Sequence, residues 1–179
     1  MFKPEHSALM IIDVQGRLAS LIHGADDLIK EINIMIKAAE ILDMPIIWME
    51  QYPKGLGATV AAIKDNLTGH QAIEKITFSG CGNDDVLKAL KDSDRNQVIV
   101  TGIESHVCVY QTVLGMISEG YQVAINQDAI SSRKPSNKQL GLERMKDAGA
   151  IKTSTEMILF ELMQTAEHPK FKQISNLLK

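Results

Sequence analysis

The stretch QVIVTGIESHVCVYQTVLGMIS, residues 97–118, contains the change of pattern that decides the fold. It begins with the β-branched run 98–100, which is too short for a helix and is typical of a buried strand. After Thr101-Gly102 the apolar residues recur at positions 109, 113, 116 and 117, the spacing of one helical face. The segment is therefore predicted to form a strand, a tight turn and a helix, with Cys108 in the first turn of that helix.

A cysteine in the first turn of a helix lies near unpaired backbone N–H groups and the positive end of the helix dipole. Both favour the thiolate over the thiol, and the thiolate is the stronger nucleophile. The alternative is a buried structural cysteine, because free cysteine is among the most buried residue types. Position alone leaves both interpretations open for Cys108.

Strand and helix patterns alternate along the rest of the chain. Strands are predicted at 7–13, 45–49, 72–78, 121–126 and 150–153, and helices at 25–43, 84–91, 136–148 and 155–163, with a loop at 128–132. This alternation is typical of a three-layer α/β/α fold with a doubly wound, mostly parallel six-stranded sheet. No linker or internal repeat interrupts it, so residues 1–179 are predicted to form a single domain.

Two charged residues accompany the strands. Asp13 ends the first strand, and the carboxyl ends of strands in an open parallel sheet face the ligand crevice. It is either functional there or a cap for nearby backbone N–H groups. Lys75 lies in the third strand, where a lysine needs a partner or solvent, and a solvated edge position is the simpler expectation. An acid, a lysine and Cys108 at one crevice would be a plausible covalent hydrolase.

Composition excludes several classes of protein. Apolar residues make up 45% of the chain and charged residues 23%, with a net charge of −3 and no basic run, so a nucleic-acid partner is not expected. No apolar stretch is long enough to span a membrane, and no secretory signal is apparent. Two cysteines do not make a disulfide framework, which favours a cytoplasmic location. Metal-binding and nucleotide-binding motifs are absent, so no metal and no cofactor are predicted.

Several segments resemble the isochorismatase-like cysteine hydrolases, a family that includes nicotinamidases and other amidases. They are ALMIIDVQ (8–15), EQYPKGLG (50–57), EKITFS (74–79), VTGIESHVCVYQT (100–112), DAISSR (128–133) and TSTEMILFEL (153–162). They span nearly the whole chain in the family's order. The EQYPKGLG loop is similar to that of the isochorismatase domain-containing subgroup.

This resemblance implies a catalytic triad of Asp13, Lys75 and Cys108 on a sheet of order 3-2-1-4-5-6. The chain would hydrolyse a small amide or a related C–N bond through a covalent cysteine intermediate. A cis peptide is expected at Ile103-Glu104, where the N–H of Glu104, with that of Cys108, would bind the oxyanion.

The resemblance also has consequences for ligands and assembly. Candidates for the substrate pocket are Gln15, Tyr52 and His106, although Tyr52 could equally be packed under its loop. Nicotinamidases bind a metal through an Asp-x-His pair after the second strand, where this chain has Glu50-Gln51-Tyr52. A small-molecule substrate and a homo-oligomer are expected, the latter compatible with the amphipathic tail 168–179.

Two other classes of function remain open on the same fold. A thiol-redox protein would use Cys108 as a peroxidatic thiol and needs a resolving cysteine, for which Cys81 is the only candidate. A non-catalytic interaction module would keep the three residues for structure alone, and its Cys108 would react no faster than a free thiol.

Overall fold

A six-stranded parallel sheet forms the centre of the computed structural model, which describes residues 1–179. In chain order the strands are β1 (Ser7–Ile12), β2 (Ile46–Gln51), β3 (Ile73–Lys75), β4 (Gln97–Ile103), β5 (Gln122–Ser131) and β6 (Ile151–Thr153). All neighbouring pairs are parallel, in the order β3-β2-β1-β4-β5-β6. The predicted α/β fold and the strand order that the resemblance implied are both confirmed.

Helices cover both faces of this sheet. They are α1 (Gly16–Ser20), α2 (Ala25–Ile41), α3 (Pro53–Leu56), α4 (Ala61–Lys64), α5 (Asp84–Asp92), α6 (Tyr110–Ser118), α7 (Pro135–Asp147), α8 (Thr155–Met163) and α9 (Phe171–Leu177). Helices α2, α8 and α9 pack on one face, and α5, α6 and α7 pack on the other. No helix combines the length and the apolar character needed to cross a membrane.

The central strand β1 contributes to both apolar cores. Leu9 and Ile11 point into the core beneath α2, whereas Met10 and Ile12 point into the core beneath α5, α6 and α7. All six residues of the strand are buried, as expected for a central strand covered by helices on both faces. Burying each of these large side chains contributes about 1.5–3 kcal/mol, so the strand is held rigidly at its carboxyl end.

Strand order reverses direction between β1 and β4, and ligands of open α/β sheets bind at such a point. The two strands approach closely there because residue 102 is glycine. Its φ is +119°, and a Cβ at this position would lie 2.1 Å from the carbonyl oxygen of Ile12. Asp13 follows β1 directly, and the segment containing Cys108 follows β4.

The predicted loop at 128–132 is wrong, because β5 continues to Ser131. The strand pairs with β4 through Ile125 opposite Val100, and pairing then resumes with Ile130 opposite Gly102. Residues 126–129, three of which are polar, form a bulge that locally interrupts the ladder without ending the strand. A polar run inside a strand has the sequence pattern of a loop.

Other elements differ from prediction in their bounds. The helix expected from Ser105 begins instead as a π-helical turn, Ser105–Val109, and becomes α-helical at Tyr110. The third strand covers only Ile73–Lys75. The amphipathic tail forms α9, whose Ile174 is completely buried in the core beneath α2, so the tail packs on its own chain.

Candidate active site

Asp13 is placed by the end of β1, at the carboxyl edge of the sheet. Its φ of +55° is left-handed, a conformation that aspartate tolerates better than most residues, and it turns the chain away from the strand. Its N–H donates to the carbonyl oxygen of Met49 on β2, at 3.3 Å. Its buried carboxylate accepts a hydrogen bond from Lys75 through Oδ2, with an Nζ–Oδ2 distance of 2.7 Å.

Lys75 ends β3, and its side chain is buried, with 1% of the residue exposed. Besides Asp13, its ammonium donates to Oε1 of Gln51 at 2.7 Å and lies 3.2 Å from the carbonyl oxygens of Thr77 and Phe78. A buried ammonium requires such partners, because an unpaired charge in the interior is very costly. The expectation of a solvated edge lysine is therefore wrong, and the ammonium instead holds the carboxylate of Asp13.

Cys108 lies in the π-helical turn with 8% of the residue exposed. The N–H groups of Val107 and Val109 both donate to the carbonyl oxygen of Glu104, at 3.0 and 3.3 Å, which holds the turn closed. Asp13 Oδ1 is buried and accepts no hydrogen bond of ordinary geometry. The Cys108 thiol is near enough to this carboxylate to affect its pKa. Asp13 therefore lies between Lys75 and Cys108.

The surroundings of Cys108 favour the protonated thiol. Burial, and after it the negative charge of Asp13, raises the pKa of Cys108 to about 12, although the charge of Lys75 opposes this rise. Burial also raises the pKa of Asp13, against the effect of Lys75. The prediction that the site favours the thiolate is therefore wrong, because burial and the charge of Asp13 favour the thiol. A nucleophilic Cys108 must lose its proton during attack, and the neighbouring carboxylate is placed to accept it.

A cavity of about 140 Å³ opens beside Cys108. It is lined by Asp13, Gln15, Leu18, Gln51, Leu56, Phe78, Ile103, Glu104, Val107 and Cys108. The volume corresponds to about five water molecules at roughly 30 Å³ each. A larger cleft of about 570 Å³ lies between Ile41 and Lys170, but no cysteine lines it. Asp13 and Cys108 line the smaller cavity, and Lys75 pairs with Asp13. The smaller cavity is therefore the candidate active site.

Two buried glutamines support one wall of the cavity. Gln15 Oε1 accepts a hydrogen bond from the backbone N–H of Gln51 at 2.6 Å, and Gln15 Nε2 donates to the carbonyl oxygens of Gln51 and Gly57. Gln51 Nε2 donates to the carbonyl oxygen of Ile76 at 2.6 Å, and its Oε1 accepts from Lys75. Gln15 therefore lines the cavity, and its hydrogen bonds tie β2 to the loop that follows.

Glu104, which also lines the cavity, forms an ion pair. The peptide bond between Ile103 and Glu104 is cis, as expected, and both residues line the cavity. The Glu104 carboxylate accepts hydrogen bonds from the backbone N–H and the guanidinium of Arg133, at 2.9–3.1 Å. Burial alone would raise the pKa of Glu104, but the hydrogen bonds and charge of Arg133 outweigh burial and lower it.

The structure does not bring the other two pocket candidates into the cavity. Tyr52 is 51% exposed at the start of α3, and its ring lies against Gly55. His106 is in the π-helical turn, with its ring 3.1 Å from Ser132 Oγ and 3.2 Å from Asn137 Nδ2. Its hydrogen bonds thus connect the turn to Ser132 and to the first turn of α7.

Residues 50–52, at the end of β2, do not form a metal site. Glu50 Oε1 accepts a hydrogen bond from the backbone N–H of Thr59 at 2.6 Å, and the next two residues, Gln51 and Tyr52, are not histidines. No three His, Cys, Asp or Glu side chains converge anywhere in the structure as metal ligands would. The donor groups near Cys108 do not fit the metal of the nicotinamidases.

Some residues of the site were not predicted from the sequence. Gln51 could have been found, because it ends β2 at the same sheet edge that identified Asp13. Leu56 and Phe78, which line the cavity, come from connections between strands, and no local pattern indicates that they meet. Chemically, the site combines a thiol, a carboxylate that can accept its proton, and a cation that holds the carboxylate.

Comparison with known proteins gives consistent matches. Residues 7–157 match the model of the Isochorismatase domain. Isochorismatase family protein 1B of Dictyostelium discoideum is 40% identical over a 181-residue alignment, which covers 98% of this chain and 87% of that protein.

Solved structures superpose over nearly the whole chain. The MAR1 ribonuclease from Caenorhabditis elegans has a TM-score of 0.93 at 38% identity, covering 99% of this chain and 91% of that one. The YcaC gene product of Escherichia coli, described as an octameric hydrolase of unknown specificity, has a TM-score of 0.88 at 22% identity, covering 99% and 94%. At that identity the second likeness concerns the fold alone.

Proposed function

Because this chain belongs to the isochorismatase family, we propose that it is a cysteine-dependent hydrolase that cleaves a small amide or a related C–N bond. Membership of the family indicates a hydrolase. The observation that carries it is the placement of the Cys108 thiol beside the Asp13 carboxylate, itself paired with Lys75, in a small cavity.

The reaction begins with attack by Cys108 on the carbonyl carbon of the substrate. The thiol proton passes to Asp13 as the C–S bond forms, and Asp13 then gives this proton to the leaving nitrogen as the C–N bond breaks. The acyl group remains on Cys108 as a thioester. A water molecule next loses a proton to Asp13 and attacks the thioester, the C–S bond breaks, and the sulfur takes the proton back. The products are an acid and an amine.

Lys75 and the backbone have electrostatic roles in this scheme. The ammonium of Lys75 keeps Asp13 available as a base, because an opposite charge within hydrogen-bond distance favours the ionised carboxylate. The backbone N–H groups of Glu104 and Cys108, two residues that line the cavity, would bind the oxyanion of the tetrahedral intermediate. Such donors typically contribute about 3–4 kcal/mol to lowering the barrier.

The site gives less support to ribonuclease activity, which the description of the C. elegans protein names. Phosphate binding depends on available cations, whereas the net charge here is −3. No cation lines the cavity, and Lys75 and Arg133 already pair with its carboxylates, Asp13 and Glu104. Moreover, a cavity of about 140 Å³ is smaller than a nucleotide requires.

The remaining alternatives also have less support. Cys81 does not line the cavity, and its thiol contacts the carbonyl oxygen of Thr112 at 3.7 Å, so no second thiol accompanies Cys108 there. A redox cycle would need such a resolving cysteine. A non-catalytic module does not require a buried ion pair aimed at a thiol, since an ion pair of this kind is weak support for stability alone.

We further propose that the protein assembles as a homo-oligomer in the cytoplasm. Exposed apolar side chains, Ile76 among them, support assembly, and two free cysteines fit a reducing compartment. Light scattering during gel filtration gives the subunit number, and cell fractionation gives the compartment. A monomer at all concentrations, or recovery only in the secreted fraction, contradicts the respective proposal.

A panel of small amides, with an RNA oligonucleotide included, tests the proposed reaction. We expect amide hydrolysis that falls at least about 10³-fold in Cys108→Ser and Asp13→Asn, because such residues act as a unit. The matched control is Cys81→Ser, which removes the other thiol and should retain activity. Cleavage of RNA alone, or amide hydrolysis that survives in Cys108→Ser, contradicts the proposal.

A further inference from the structure

We propose that the acyl group of the substrate is a short, uncharged hydrocarbon chain. This inference rests on the proposed function, because it concerns the group that Cys108 would carry as a thioester. Its basis is that the polar groups in the cavity are already bound to other parts of the protein.

The acyl group, rather than the leaving amine, must occupy the cavity. It stays bonded to the sulfur of Cys108 after the amine has departed, and that sulfur is buried against the cavity. The exposed part of the lining is at Leu56 and Phe78, which are 43% and 56% exposed. The amine can therefore leave to solvent past these two side chains while the acyl chain stays inside.

The neutral polar side chains of the cavity are engaged within the protein. Gln15 Nε2 donates to two carbonyl oxygens, and Gln15 Oε1 accepts from the backbone of Gln51. Gln51 Oε1 accepts from Lys75, and its Nε2 donates to the carbonyl oxygen of Ile76. A substrate that required hydrogen bonds to its acyl chain would have to break these buried contacts, and each broken contact leaves a costly unpaired group.

No cation lines the cavity, although two carboxylates do. Asp13 is paired with Lys75, and Glu104 is paired with Arg133. An acyl chain with its own carboxylate would be desolvated beside these two negative groups without a cationic partner, which is strongly unfavourable. The charges of the site therefore select against an anionic acyl group.

Apolar side chains form the rest of the lining. They are Leu18, Leu56, Phe78, Ile103 and Val107. With space for about five water-sized groups, the cavity suits an acyl chain of about four or five carbons. Apolar walls favour each added methylene until the space is filled, and beyond that length the chain must displace packed side chains.

Acylation of Cys108 by p-nitrophenyl esters tests this inference, with release of nitrophenolate as the signal. We expect the second-order rate constant to rise about fourfold per methylene from acetyl toward butyryl or pentanoyl and to fall for octanoyl. The matched pair is butyryl and succinyl, which have the same carbon number and differ by a carboxylate. Succinyl should react at least about 100-fold more slowly.

Two substitutions in the lining should move the preferred length in opposite directions. Leu18→Ala enlarges the cavity and should shift the optimum toward hexanoyl, whereas Val107→Leu fills it and should shift the optimum toward acetyl or propionyl. An optimum that stays the same in both variants, or equal rates for succinyl and butyryl, overturns the inference and leaves the proposed hydrolase standing. If no ester acylates Cys108 faster than the background measured in Cys108→Ser, the proposed function itself fails.

Discussion

Replacing Asp13 by asparagine should lower the pKa of the Cys108 thiol while it abolishes hydrolysis. After burial, the negative charge of Asp13 is the largest contribution to the raised pKa of Cys108, and the charge of Lys75 acts in the opposite sense. Asparagine removes the negative charge and leaves the ammonium in place. The thiol then loses its proton more easily, but no carboxylate remains to transfer that proton to the leaving group.

The size of this effect follows from the proximity of the groups. A like charge in contact shifts a pKa by about one to three, so the pKa of Cys108 should fall from about 12 to roughly 9–11. At neutral pH this corresponds to a thiolate population about ten to a thousand times larger. A pH titration followed by the ultraviolet absorbance of the thiolate measures the pKa without any chemical reaction of the sulfur.

Titration of the double variant Asp13→Asn/Cys108→Ser supplies the control. Subtracting it removes the signals of the tyrosines and of Cys81, whose pKa burial raises to about 11. Circular dichroism checks that both variants fold, since the substitution leaves the ammonium of Lys75 without its carboxylate. A pKa for Cys108 that is unchanged or higher in Asp13→Asn would refute the electrostatic coupling on which the mechanism depends.

Three other substitutions test the supports of the site. Gln51→Leu removes a neutral acceptor of the buried ammonium. In steady-state kinetics we expect kcat to fall about tenfold or more, with little change in KM. A tenfold loss of kcat/KM that comes from KM alone would instead assign this glutamine to substrate binding. Gly141→Ala places a Cβ 2.4 Å from Ser105 Oγ and 2.7 Å from its carbonyl carbon, so the turn that holds the nucleophile must move. Denaturant unfolding should show that the free energy of unfolding falls by about 1–3 kcal/mol. Full activity would contradict the close packing. Arg133→Met removes the group that lowers the pKa of Glu104. The wild type should be the more stable protein above pH 4.5, the ordinary pKa of the carboxyl, and should lose this advantage as the pH falls below that value. A stability difference that is independent of pH would exclude the ion pair as its source.

Local pattern was sufficient to predict the positions of Asp13 and Cys108. The buried strands that precede them are apolar runs, and a parallel sheet brings their carboxyl ends to one edge. Lys75 could not be placed in this way, because its burial depends on acceptors from β2 and from the end of β1, all distant in sequence. The expected solvated lysine was wrong for this reason.

The raised pKa of Cys108 could not be predicted from the sequence either. The helix dipole is a local property and suggested a thiolate, whereas desolvation depends on the whole packed surroundings and raises the pKa of the thiol. The cavity walls at Leu56 and Phe78 come from separate connections, whose conformations depend on tertiary contacts such as the hydrogen bonds of Gln15.

The most direct test of the central claim is the intact mass of the protein during turnover of an acyl substrate. Rapid acid quenching followed by mass spectrometry should detect one acyl group per chain, formed before steady state and located on Cys108 by peptide mapping. The adduct should persist in Cys81→Ser and be absent in Cys108→Ser. Two results would contradict a covalent mechanism at this thiol. One is steady-state hydrolysis with no acyl group on Cys108, and the other is an equal rate of hydrolysis by Cys108→Ser.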